Sequence, residues 1–422
     1  MKTKWLPILV VLVTIFSFSS CLKSDDDIEY SSNDIISYFA LPDILGKQYY
    51  FTIDQINGEI YNRDSLPYKS DTIIDKILIK QISSGGIIEY DNSYFEYLVD
   101  SVDLRKPLEL TVHAPDGKNS KKYEVKVNVH QQEPDSLTWK FLGNKFPDAF
   151  SNSHQTIILN DQLLAYSPEG KVATSKLSDG ANWTLEKTTA PDNLNITTLV
   201  VSQNTLYGVT TEGEVFESTD GLQFNKNEIM SQQFVVTLIH SYKNKIFGIV
   251  KENETTYFAT ITLNGDENWS IFEEVPTNFP IENISAINYT TRTGTDRIIM
   301  VGKPESPSTT TTPWFTTNGK NWFDMTSETT SLACPYMDHP TLIHYDNKFY
   351  IFGGEFKSIY TSKEAITWRE TKEKFLLNAS FLHRPNYSLV VDDNNYIWTT
   401  WGNEKEIWRG RLNKLGFKNY NH

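Results

Sequence analysis

His339 and His344 stand five residues apart, a spacing that invites a shared metal ion. On an extended strand an odd separation sends two side chains to opposite faces, so each reads as a structural histidine. Cys334 precedes Pro335 and has no partner cysteine, which suits buried packing better than nucleophilic work. No glycine-rich phosphate loop, Cys-x-x-Cys pair or His-Glu-x-x-His helix occurs. The chemistry left is recognition. Long polar loops run over 302–314, 326–339 and 400–406, and the residues in and near them include Trp314, Tyr336, His383, Arg384 and Trp401. These five are the candidate ligand contacts, because aromatic rings and an arginine fork can hold a sugar. A non-enzymatic binding module for a glycan or a partner protein is therefore the expected function, and no residue is assigned a catalytic role. A glycosidase or lyase is the alternative, since two carboxylates from distant segments can converge without a local motif. A structural subunit of a larger assembly is the third reading. No cofactor is called for, and no calcium ligand set is indicated.

These residues need a frame, and it repeats. A turn followed by an apolar strand recurs as "NDQLLAY" from Asn160, "QNTLYGV" from Gln203 and "KNKIFGI" from Lys243. It returns as "TDRIIMV" from Thr295, "DNKFYIFGG" from Asp346 and "DNNYIWTTW" from Asp393. A short strand precedes each turn, where Asn and Asp suit a left-handed backbone. A second turn, ending in an aromatic, follows the first five hairpins and places Trp183, Phe224, Trp269, Trp322 and Trp368. Their spacings of 41, 45, 53 and 46 residues are those of four-stranded propeller blades. Six hairpin units predict six blades over residues 137–422. "LTWKFLG", 137–143, reads as a strand that joins the last blade and closes the ring.

Upstream, residues 35–130 predict a separate β domain. Its clearest strands are 49–55, 72–82 and the hairpin 108–130, whose "PDGKNS" turn separates two alternating runs. Alternation puts Leu108, Leu110 and Val112 on one face, paired with Val125, Val127 and Val129. The expected fold is an Ig-like β-sandwich, followed by a linker at 131–136. The whole is all-β: an N-terminal Ig-like β-sandwich, then a six-bladed β-propeller.

Lys2 and Lys4 precede an apolar run at 5–16, too short to span a bilayer, and Ser17, Ser19 and Ser20 lead into Cys21. This pattern resembles the lipobox of bacterial lipoproteins. The resemblance implies a signal peptide at 1–20, lipidation of Cys21 and a tether over 21–34. "KSDDD", 23–27, is similar to the acidic surface-export signal of Bacteroidota lipoproteins. An outer-membrane address facing the cell exterior follows from it, with membrane lipid as the first partner. Asp-Ser/Thr-apolar triplets at 64–66, 71–73, 100–102 and 135–137 resemble the O-glycosylation pattern of Bacteroidota envelope proteins, making Ser65, Thr72, Ser101 and Ser136 candidate acceptors.

The Asp/Asn-Gly-x-x-aromatic turns resemble the Asp-box of sialidase-like propellers, and "YIFGG", 350–354, resembles the double-glycine strand of Kelch blades. By that resemblance Asp179, Asp220, Asn264 and Asn318 brace turns and do not catalyse. Sialidase activity itself is not expected: the propeller's arginines are Arg292, Arg297, Arg369, Arg384, Arg409 and Arg411, of which Arg297 falls in a hairpin turn and Arg369, Arg409 and Arg411 in or beside outer strands, and no Arg-Ile-Pro element precedes a first Asp-box. The full arrangement, with "YYFTIDQINGEIYNRDSLPY" at 49–68, is similar to a family of uncharacterised Bacteroidales surface lipoproteins. That resemblance implies the architecture and an envelope setting, but no activity.

Composition agrees with an envelope setting. The 422-residue chain carries a net charge of −14, and loss of Lys2 and Lys4 with the signal takes it to −16. Such a charge argues against nucleic acid as a partner. With Cys21 lipidated, Cys334 has nothing to pair with, so the fold must stand on its own core.

Overall fold

The structure is a computed structural model that describes residues 29–326, 329–353, 356, 358–371, 379–381 and 383–416. Cys21, its signal and the acidic run lie outside the described residues, as does Gly354. The chain divides into two compact units, Met1–Pro134 and Asp135–His422. Among the described residues no helix is long and apolar enough to cross a membrane.

The first unit is built on a six-stranded mixed sheet. Its strands lie in the order Phe51–Asp54, Glu59–Asn62, Ser120–Lys126, Leu108–His113, Ile87–Tyr90, Ser93–Tyr94. Two short ribbons complete it: Ile36–Ala40 with Gln81–Ser84, and Ile77–Leu78 with Ser101–Val102. Leu108, Leu110 and Val112 are buried on one face, as alternation requires. Their partners differ from expectation. Leu108 faces Val125, but Leu110 faces Tyr123 and Val112 faces Lys121. The strand ends at Lys126, so Val127 and Val129 leave the ladder and pack against the core from outside it. The expected long strand at 72–82 is also broken. A helical turn, Asp71–Ile74, comes first and buries Ile74, and the strand begins only at Ile77. The parallel pairing of Ser120–Lys126 with Glu59–Asn62 has no local signal at all.

Among the described residues the second unit contains six four-stranded antiparallel sheets. Five are consecutive in sequence and begin at Gln155–Leu159, Leu194–Ser202, Phe234–Tyr242, Pro280–Thr290 and Thr341–Tyr345. The sixth combines Tyr387–Val391, Ile397–Trp401 and Glu406–Leu412 with Leu137–Gly143 as its outer strand. This is the strand pattern of a β-propeller, and the first strand of the unit completes its last sheet. Arg409 and Arg411 lie on the third strand, beside the outer one as expected, whereas Arg297 lies on strand Asp296–Pro304 rather than in a turn.

Local chemistry explains the hairpins. Asn160-Asp161, Gln203-Asn204 and Asp346-Asn347 are two-residue turns with both φ values positive, the twist that matches antiparallel strands. The second class of turn is braced by side chains. Asp220 Oδ1 accepts from the Leu222 and Gln223 amides, both at 2.8 Å, and Asn318 Oδ1 accepts from the Lys320 and Asn321 amides at 2.9 and 3.2 Å. In the third sheet the brace is Asp266, which accepts from the Thr262 amide at 2.7 Å, while Asn264 holds the left-handed corner. The aromatic then packs on the preceding sheet. Phe224 meets Tyr166 edge-on at 6.2 Å, and Trp322 stacks on Phe258 at 6.0 Å.

Candidate functional site

A cavity of about 840 Å³ opens where the first strands of five of the six sheets begin. It is lined by segments that enter four of those strands, Ser153 to Gln155, Asp192 to Thr197, Asp338 to Thr341 and Pro385 to Leu389, and by Asn283 to Ser285 within strand Pro280–Thr290. Hydroxyl and amide side chains alternate there with apolar ones such as Leu194, Ile196, Ile284 and Leu389, and Asp192 and Asp338 add carboxylates. Among the described lining residues there is no arginine or lysine. A propeller puts such a cavity at its centre because the innermost strands converge there.

Its rim holds an unusual backbone. Asn283, His339 and Asn386 have φ of 50, 52 and 58°, each in the left-handed region. Asn and His tolerate that region best, and it persists where neighbours over-determine it. Asn386 Nδ2 donates to the Ser151 carbonyl at 3.1 Å and to Asn403 Oδ1 at 3.3 Å, which ties the rim to the loops around it. His339 Nδ1 lies 3.1 Å from Asp338 Oδ2. His344 is elsewhere, packed at 5.0 Å on Tyr289 and 4.8 Å on Phe349, so the two histidines share no site. Among the described residues no cluster of three His, Cys, Asp or Glu is placed to hold a metal. Cys334 is buried, and burial pushes its thiol up to about 12, which suits packing.

His154 forms part of the wall. Its Nε2 lies 2.8 Å from Thr400 Oγ1, and its ring packs on Phe146 at 4.9 Å. Burial pushes its pKa from 6.5 down to about 3, so the folded protein holds the neutral imidazole. Between those values the unfolded chain binds the extra proton. Stability is therefore complete above pH ~6.5 and falls below it, by up to about 1.4 kcal/mol per pH unit. Urea midpoints measured from pH 7 to 4.5 should fall in the wild type and fall less steeply in His154→Gln. Equal slopes would show that His154 carries none of the pH dependence.

The five residues expected as ligand contacts do not converge on this cavity. Trp401 is 0% exposed and Trp314 is 6% exposed, so neither offers a ring face to a sugar. Trp401 is locked against Phe381 at 4.4 Å, and Trp314 meets Phe279 edge-on at 5.0 Å. Arg384 lies over the Trp401 ring at 4.5 Å, with Glu404 at 3.2 Å and Glu406 at 2.9 Å. It is committed to structure. Tyr336 and His383 are exposed, and each sits two residues before a lining residue, Asp338 and Pro385. The lining residues Asp192, Asn193, Asn283, Asp338 and Asn386 were not expected. Their one sequence signal is position: most stand just before the first strand of a repeat. Of the candidate acceptors, Thr72 and Ser101 are exposed, and Ser65 and Ser136 are half-buried.

Two family models cover the chain. Residues 133–420 match the DUF6242 beta propeller domain, and residues 22–127 match the N-terminal domain of DUF6242, a domain of unknown function. The chain belongs to the DUF6242 family. Solved structures similar to this DUF6242 chain include a DUF4623 family protein from Bacteroides eggerthii, at 12% identity and TM-score 0.41, covering 89% of this chain and 98% of that one. A structural genomics protein of unknown function from Bacteroides thetaiotaomicron is similar at 11% identity and TM-score 0.42, covering 86% and 98%. A Trichoderma reesei family AA12 carbohydrate-active enzyme is similar at 11% identity and TM-score 0.42, covering 66% and 96%. No curated protein matches the chain.

Proposed function

We propose that this protein is an outer-membrane lipoprotein, anchored through Cys21 and facing the cell exterior, that binds an uncharged glycan without cleaving it. In this reading the six sheets are six blades around one channel, and the first unit is an Ig-like spacer that carries the propeller. The observation that carries the proposal is the central cavity. Its lining of amides and hydroxyls set among apolar side chains, with no arginine or lysine among the described lining residues, suits the hydroxyl groups and carbon faces of a neutral sugar.

The test is a thermal-shift screen of the chain from Asp25 to His422 against neutral and acidic polysaccharides. A native-state binder at a hundred times its Kd adds about 2.7 kcal/mol of stability, a shift that is readily measured. Neutral glycans should raise Tm, and Asn193→Leu should abolish the shift while leaving the unliganded Tm unchanged. A Tm that no glycan moves would sink the proposal and direct the search to envelope proteins. A hydrolytic or lyase role is the second reading, supported by Asp192 and Asp338 lining one cavity. New reducing ends that appear with wild type and vanish with Asp192→Asn or Asp338→Asn would establish it.

A further inference from the structure

Most well-buried or paired cations of this acidic chain meet carboxylates: Arg105 meets Asp103, Arg384 meets Glu404 and Glu406, and Lys414 meets Asp135 and Asp346. The seam between the sixth and first propeller sheets departs from this. Arg409 and Arg411 alternate along strand Glu406–Leu412 and so share one face. Their guanidinium carbons lie 4.3 and 4.1 Å from the Tyr396 ring centre. Neither is ion-paired among the described residues, and Arg411 makes one long hydrogen bond, 3.5 Å, to the Asn394 carbonyl. Directly across the ladder from Arg409 stands Lys140, on the closing strand. Like charges placed opposite each other destabilise a sheet unless an anion sits between them.

Of these cations Arg409 reaches a cavity of about 600 Å³, lined with it by Tyr396 and Trp398 of the sixth sheet and by Lys176, Asn160 and Asp161 of the first. Asp392 also lines it, but its carboxylate is spent on the amides of Asn394 and Tyr396 at 2.9 and 2.8 Å and on Trp398 Nε1 at 2.8 Å. Asp161 is the carboxylate left to oppose a ligand. Stacking occupies a guanidinium's face and leaves its in-plane N–H groups free for bidentate contact with an oxyanion. Asn160 Nδ2 donates to the Thr219 carbonyl at 2.8 Å, which leaves its amide oxygen to accept from a sugar hydroxyl.

We propose that this seam is a second binding site, for a saccharide bearing an oxyanion, either a sulfate ester or a uronate carboxylate. It is separate from the central cavity and does not depend on what that cavity binds. Isothermal titration of the full chain at low salt would use three probes: a sulfated disaccharide, a uronic-acid disaccharide and inorganic sulfate. At least one disaccharide should bind, more tightly than inorganic sulfate and less tightly as salt rises. The tighter of the two identifies the oxyanion. Arg409→Gln should weaken binding by about ten-fold or more. Asp161→Asn should tighten it several-fold, and asparagine keeps the left-handed corner at that position, φ 60°, so this variant folds. No heat with either disaccharide, sulfate binding as tight as both, or affinities unmoved by Asp161→Asn would each overturn the assignment.

Discussion

Trp401→Ala should cost the propeller about 3–5 kcal/mol, the loss expected when a fully buried large aromatic is truncated. The indole is 0% exposed and fills the sixth sheet between Phe381 at 4.4 Å and Phe356 at 5.7 Å. It also floors Arg384, whose guanidinium lies 4.5 Å from the ring. Truncation leaves a cavity under a charged group that is ion-paired to Glu404 and Glu406, so collapse around the gap is hindered. Trp401→Phe should recover part of the loss. Calorimetry on the full chain would read both, with each kcal/mol moving Tm by roughly 2–4 °C in a domain of this size. An unchanged Tm together with lost glycan binding would restore Trp401 to the ligand contacts.

Gly180→Ala should be nearly as damaging, at about 2–5 kcal/mol, although it adds a single methyl group. Gly180 has φ +66°, and a Cβ there would run into the Trp398 ring of the sixth sheet. The same device recurs at Gly319, φ +77°, where a Cβ would meet Phe247 of the preceding sheet. These turns hold adjacent sheets at a distance that only a bare backbone allows. Gly294 is the control: its φ is +79°, but nothing lies within 4 Å of a Cβ there. Gly294→Ala should therefore show the backbone penalty alone, roughly 1–2 kcal/mol. Equal losses at Gly180 and Gly294 would show that close approach between sheets contributes nothing.

Repetition explains why so much of the second unit could be read ahead of the structure. Turn chemistry is local: Asn160-Asp161 and Asp346-Asn347 prefer positive φ whatever surrounds them, and Asp220 reaches amides two and three residues on. Six copies of a local signal made the sheets countable, and the leftover "LTWKFLG" had one place to go. The first unit has no repeat. Its register slipped from Val127 to Tyr123 because both residues satisfy the same alternation, and the choice between them depends on where the strand must end.

The site was hidden for a different reason. Trp314 and Trp401 have rings that can bind sugars, yet large rings also fill cores, and Arg384 has a fork that can hold a ligand or an internal carboxylate; sequence does not separate these uses. The residues that line the central cavity are polar and apolar groups of no distinctive type, brought together from positions as distant as Ser153 and Leu389. The second site is likewise non-local, with Lys176 of the first sheet and Arg409 of the sixth brought to one cavity by ring closure. Turns, strands and their number were thus determined by near-neighbour chemistry along the chain. Which rings are buried and which polar groups share a cavity was decided only when the sheets packed around one centre, because convergence there is a property of the whole ring and of no single repeat.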